Sequence, residues 1–169
     1  MIVEDDVFAA FVRQHAVRLA RLAHQLTHDR EAAADLVQDV LLEVYRRWPQ
    51  VDGARSAYAY TRRMLVNRHI DSGRRRRLIT QPWSDDAEAT AGSEAQPIDA
   101  LAERDRIWHA LGQLPARQRA VLVLRHYEAC PDDEIAALLG CRRATVRSLA
   151  ARGAATLRPL LVEHTVQEH

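Results

Sequence analysis

The sequence predicts an all-α protein: two small helical domains, over residues 1–80 and 98–162, joined by a flexible acidic linker over 81–97. Three observations predict it. In both halves apolar residues recur every three or four positions, the spacing that lines one face of a helix. Alanine, leucine and arginine abound while aromatics make up only 5% of the chain, a composition suited to helices. The periodicity collapses at QPWSDDAEATAGSEAQP, residues 81–97, which is bracketed by prolines and rich in Ala, Ser, Gly and acids. Such a segment reads as a tether, and Asp85, Asp86, Glu88 and Glu94, with no basic partner there, keep it extended and soluble.

The 169 residues suffice for one or two domains with real cores, and 47% hydrophobic against 28% charged residues is an ordinary globular balance. All 24 basic residues are arginine; a high-GC genome is the simplest cause, and no function is read from it alone. No apolar run approaches the length of a membrane span, and MIVEDDVF lacks the basic-then-apolar order of a signal peptide. The expectation is a cytoplasmic protein without membrane insertion. Cys130 and Cys141 fit a reducing compartment and make no disulfide framework.

Over residues 5–27, Val7, Phe8, Phe11, Val12, Leu19, Leu22, Ala23 and Leu26 recur at helical spacing and predict an amphipathic helix. His24 and His28 stand four apart, but no carboxylate or cysteine completes a metal-binding pattern, so they read as surface histidines. Asp29 is placed to cap a second helix with Glu31 in its first turn; Leu36, Val37, Val40, Leu41 and Val44 form its inward face. Asp35, Gln38, Asp39 and Glu43 occupy its other positions. Pro49 is expected to end this helix, and Val51 to Ala54 to form a loop before a third helix capped by Ser56 and stopped by Gly73.

That third helix is strongly basic. Arg55, Arg62, Arg63, Arg68, Arg74, Arg75, Arg76 and Arg77 face a single acid, Asp71, whereas residues 1–45 hold more acids than arginines. Charge is thus segregated along the chain, which suggests two different partners. Four consecutive arginines repel one another and gain nothing from folding, so a polyanion is their expected partner. Tyrosines beside arginines supply what stacking on unpaired bases requires, although Tyr58 or Tyr60 alone reads more readily as half-buried packing.

In the second domain Asp99 is placed to cap a helix containing Leu101, Ile107, Trp108, Leu111 and Leu114; Pro115 fits the first turn of the next, with Val121, Leu122 and Leu124 inside. DDEIAALLG then predicts a short helix stopped by Gly140, and RRATVRSLAAR another. Ile135, Ala136, Leu139, Val146 and Leu149 are spaced to join them across a tight turn, a helix-turn-helix whose second helix exposes Arg143, Arg147, Ser148 and Arg152 to a major groove. Cys130, Cys141 and His126 lack a fourth ligand, and there is no glycine-rich phosphate loop or nucleophile motif. Neither an enzyme nor a cofactor or metal is expected.

DLVQDV followed by LLEVYRRW, then RRMLVNRHID, LPARQRAVLVLRHYE, DDEIAALLGC and ATVRSLAARG, in this order, resemble the bacterial extracytoplasmic-function sigma factors, most of all the actinobacterial SigE-like group. The resemblance implies that Asp35, Gln38 and Asp39 dock on the clamp-helix coiled coil of the β′ subunit of core RNA polymerase, with the β subunit a further partner. It implies that the loop from Val51 and Asp52 to Arg55 captures a base flipped from the melted −10 element, that Tyr58, Tyr60, Arg63 and Asn67 line the adjoining helix, and that Arg74, Arg75, Arg76 and Arg77 hold strand phosphates. Tyr60 stands where family members often carry tryptophan. Thr145, Arg147, Ser148 and Arg152 would read the −35 element as duplex. Arg142 and Arg143 depart from the small or apolar residues common there, so they either add phosphate contacts or change the preferred sequence. The linker would thread through polymerase, and an anti-sigma factor is an expected restraining partner. A free-standing helix-turn-helix regulator is the alternative; the arginine run and DLVQDV argue against it.

Overall fold

A computed structural model describes residues 2–80 and 99–162, and every regular element in them is helical. The helices fall into two units, divided after Arg76. The expected linker at 81–97 lies outside the described residues.

In the first unit α1 (Ile2–Thr27) lies along α2 (Arg30–Arg46). The apolar stripe read from the sequence supplies the interior: Phe11, Leu19, Leu22, Ala23 and Leu26 meet Ala33, Leu36, Val40 and Val44, all buried. The turn between them is built by local chemistry. His28 takes up the left-handed conformation at φ 54° and returns its N–H to His24 O, so its part here is that of a helix-ending residue. Asp29 caps α2 as expected, its Oδ1 accepting from Ala32 N at 2.8 Å.

Three expectations are corrected by the segment that follows α2. Pro49 does not follow α2 as its terminator: α2 ends at Arg46, and Pro49 sits in the first turn of a short helix, α3 (Trp48–Asp52). A proline's fixed φ suits the start of a helix as well as it forbids an interior position. Trp48 and Val51 decide the outcome, both being buried, with Trp48 5.2 Å from the rings of Phe8 and Phe11. Val51 and Asp52 are therefore helical, and the irregular connection is confined to residues 53–56. Ser56 Oγ then accepts from Ala59 N at 3.1 Å and starts α4 (Ala57–Thr80). Gly73 does not stop this helix. It holds helical backbone there, and a mid-helix glycine weakens a helix by about 1 kcal/mol relative to alanine without ending it.

The second unit comprises α5 (Asp99–Gly112), α6 (Ala116–Leu122), α7 (Asp132–Leu139) and α8 (Arg143–Val162). Its core gathers Leu114, Val121, Leu124, Ile135 and Val146, none with measurable exposure. Pro115 is the cap before α6. The α5–α6 corner is held by one side chain: Arg119 donates from Nε to Leu111 O (2.9 Å) and from Nη2 to Gly112 O (3.1 Å) and Leu114 O (2.9 Å). After α6 the chain widens into a π-helical turn, Val123–Tyr127, and leaves it through Ala129 at φ 52°. Gly140, at φ 62°, makes the expected tight turn from α7, and Cys141 N donates to Ala136 O. α8 lies close against α6 at Gly153, where a Cβ would fall 2.9 Å from Leu122 Cδ1.

Candidate nucleic-acid interface

In the first unit α2 and α4 enclose a groove of about 840 Å³. From α4 it is lined by Tyr60, Arg63, Met64, Asn67, Arg68, Asp71, Ser72 and Arg75, and from α2 and its end by Asp39, Glu43 and Arg47. The α4 residues fall three or four apart, so a single helix face presents an aromatic ring, an amide and several guanidinium groups together. That combination can stack on a base, hydrogen-bond its edge and neutralise phosphates.

Of the residues expected at unpaired DNA, Tyr60, Arg63, Asn67 and Arg75 are brought together in this groove. Asp52 and Arg74 are exposed, and the α4 backbone continues through Arg76 and Arg77. Val51 and Tyr58 are placed elsewhere. Val51 is fully buried beside Trp48 on the inner side of α3, and Tyr58 is only 8% exposed. The Tyr58 ring carries the Arg18 guanidinium at 4.2 Å and lies 5.1 Å from His15, so its π face is already occupied. Burial, with the nearby Arg18 charge as a smaller cause, holds the His15 imidazole below its ordinary pKa.

Asp35, Gln38 and Asp39 are exposed on α2. Leu42, 50% exposed and one turn beyond Gln38 and Asp39, extends their face and was not singled out from the sequence; the i, i+3, i+4, i+7 spacing from Asp35 is the signal that finds it. Asp39 also borders the groove, where its Oδ2 accepts from Arg68 Nη2 at 3.1 Å. Glu43 holds Arg47 at 2.6 Å. The acidic and basic segments of the sequence are thus partly paired with each other.

In the second unit Arg142, Arg143, Thr145, Arg147, Ser148 and Arg152 are all exposed around the outer side of α8, while Val146 and Ala150 are buried against the rest of the domain. Asp132 and Asp133, at the start of α7, reach two of these arginines; sequence reading assigned them only to the helix start. Cys130 is buried with its thiol 3.9 Å from Glu128 O, and Cys141 is half-buried. Among the described residues no group of three or more His, Cys, Asp or Glu is placed to hold a metal ion, and no helix is long and apolar enough to cross a membrane.

Comparison with known proteins places both units. Residues 11–79 match sigma-70 region 2 and residues 104–157 match sigma-70 region 4. The chain is 35% identical to the RNA polymerase sigma-E factor of Streptomyces coelicolor over 155 residues, covering 92% of this chain and 86% of that one. It is 34% identical to the ECF RNA polymerase sigma factor SigL of Mycobacterium tuberculosis over 163 residues, covering 95% and 92%. The fold is shared with the sigma factor RpoE of Bartonella quintana, solved with the anti-sigma factor NepR, at a TM-score of 0.69 and 22% identity over 91% of this chain and 96% of that one. The groove-bearing unit and the helix-turn-helix unit occur in the order of these relatives and over nearly their whole length, and the chain belongs to the extracytoplasmic-function sigma factors, which direct RNA polymerase in transcription initiation.

Proposed function

We propose that the two units divide promoter recognition between them, as domains over 1–80 and 98–162 tethered by 81–97. The α2 face of Asp35, Gln38 and Asp39 docks on the β′ clamp helices of core polymerase, with the β subunit a further contact. The α4 groove holds melted −10 DNA through Tyr60, Arg63 and Asn67, while Arg74 to Arg77 neutralise the strand's phosphates. Arg147, Ser148 and Arg152 read the −35 duplex, with Arg142, Arg143 and Thr145 at its edge. Val51 and Tyr58 support this surface from the interior. The observation that carries the reading is the convergence of Tyr60, Arg63, Asn67 and Arg75 on one groove in the region 2 unit.

The chemistry is binding rather than catalysis, carried out in the cytoplasm beside polymerase. Each base held outside the stack offsets part of the cost of unstacking it, on the order of a few kcal/mol per step, so capture favours the melted promoter. An anti-sigma factor is a further partner, supported by the complex in which the RpoE neighbour was solved. The test is run-off transcription from upstream fragments with purified core polymerase from a high-GC bacterium. Protein-dependent transcripts are expected, with Asn67→Ala weakening −10 use and Arg147→Ala weakening −35 use. Failure to bind core together with tight, sequence-specific binding to duplex alone would instead make the chain a free-standing regulator.

A further inference from the structure

α8 begins with a charge distribution its own sequence does not balance. Arg142, Arg143 and Arg147 crowd its start, and its first turn holds no acid. Positive charge at a helix N-terminus opposes the helix dipole, and Arg143 and Arg147 stand four apart, where like charges repel. The balancing charge comes from the neighbouring helix. α7 opens on Asp132, Asp133 and Glu134. Asp133 Oδ1 lies 3.4 Å from Arg143 Nη1, and Asp132 Oδ2 lies 3.8 Å from Arg147 Nε. Asp132 is itself fixed, because Arg125 donates to its Oδ1 from Nε at 3.0 Å and from Nη2 at 2.7 Å. One carboxylate oxygen thus faces Arg125 and the other Arg147.

We infer that Asp132 and Asp133 are positioning residues that set the sequence discrimination of α8, an inference that rests on the reading of α8 as the helix entering the −35 major groove. At 3.8 Å the hold on Arg147 is Coulombic rather than a hydrogen bond. It acts through Nε, so the two terminal nitrogens remain the groups offered to guanine O6 and N7. A phosphate that recruits Arg147 or Arg143 must compete with the attraction of its carboxylate, and both carboxylates repel the DNA backbone. The preferred sequence offsets this repulsion with base contacts made by an arginine already aimed. An unrelated sequence meets the repulsion without those contacts, so the acids weaken non-specific binding more than specific binding.

The test uses holoenzyme reconstituted from the full chain and core polymerase. Its equilibrium binding is measured, over a range of salt, to a short duplex carrying the upstream element selected by the wild-type holoenzyme and to a scrambled duplex of equal length. Asp133→Asn is expected to strengthen binding to the scrambled duplex about two- to fivefold, the range of one exposed ion pair, and to strengthen binding to the selected duplex less. The ratio between the two duplexes therefore falls. Asp133→Glu keeps the charge and is expected to keep the ratio. Asp132→Asn should lower the ratio most at the base pair to which Arg147→Ala becomes indifferent. Because Asp132 also anchors Arg125, the exposed Asp133 pair decides the matter if Asp132→Asn does not fold. An unchanged ratio in Asp133→Asn, while Arg147→Ala still weakens the selected duplex, would overturn the inference and leave the reading of α8 standing. If Arg147→Ala has no effect on the selected duplex, that reading fails and the inference with it.

Discussion

Replacing Arg119 by methionine removes a guanidinium while keeping an apolar stem of similar reach, and it should unfasten the α5–α6 corner. In the native unit this group makes hydrogen bonds of 2.9, 3.1 and 2.9 Å to the carbonyls of Leu111, Gly112 and Leu114. Those carbonyls end a helix and begin a turn, where regular i+4 partners are lacking, although Leu111 O also accepts from Leu114 N at 3.1 Å. A hydrogen bond to a charged group contributes about 1.5–3 kcal/mol, but carbonyls near the surface recover part of that from water, so the net loss should be about 2–4 kcal/mol. A domain of this size has a total stability on the order of 3–9 kcal/mol, so the substitution removes a large share of it. Burial draws the Arg119 pKa down from its ordinary value, yet an arginine stays charged at any pH used for such work. Amide hydrogen exchange on the full chain is the suitable assay, since it reports each unit separately: protection in α5 and α6 should fall while that in α1 and α2 is unchanged. Arg119→Lys should recover less than half, because a single ammonium cannot reach carbonyls now served by two separate nitrogens. A change below about 0.5 kcal/mol in α5 and α6 for Arg119→Met would refute the argument, since it would mean that water serves these carbonyls as well as the guanidinium does.

Gly140→Ala should cost about 1–2 kcal/mol, all of it from the left-handed backbone, because open space surrounds the position; thermal unfolding and weakened −35 use would report it. Tyr58→Ala should destabilise the first unit by about 3 kcal/mol, whereas Tyr60→Ala should leave stability within about 0.5 kcal/mol and weaken −10 use. Transcription assays beside denaturation curves separate the two, and equal effects on promoter melting would contradict the placement of Tyr58 in the interior. The first unit should lose stability on acidification from the ordinary histidine pKa of 6.5 down through the lowered value of His15, because the unfolded chain takes up a proton that the folded one resists. His15→Gln should flatten that part of the stability–pH curve.

The elements that were legible in the sequence are those fixed within a few residues. Asp29 and Ser56 as caps and Gly140 as the left-handed turn follow from short-range hydrogen bonding and sterics, and the structure reproduces them at those positions. Pro49 was ambiguous because a proline ends one helix and starts another with equal ease. The choice came from Trp48 reaching Phe8 and Phe11 on α1, a contact far away in sequence. The π-helical turn at Val123–Tyr127 carries no residue type that marks it. Tyr58 and Tyr60 show the same division at the site. They are two positions apart, so a helix turns them well away from each other, and only the packing of α1 determines which ring is covered by Arg18 and His15.

Charge was legible as composition but not as pairing. Along the chain the acids of α2 and the arginines of α4 separate cleanly, which invites one partner for each. In the folded unit Asp39 accepts from Arg68, and in the other unit Asp133 and Asp132 attend Arg143 and Arg147. Each proposed DNA surface therefore already includes a carboxylate that an incoming phosphate must displace or outbid. An exposed pair contributes only about 0–1 kcal/mol, weak enough to exchange on binding and strong enough to bias which DNA is accepted. The number of arginines consequently overstates the positive charge available to phosphates, and the salt dependence of binding should track the arginines without a carboxylate partner rather than all those on each face. On the proposed reading, the acids beside the arginines belong to the recognition surface as much as the arginines do.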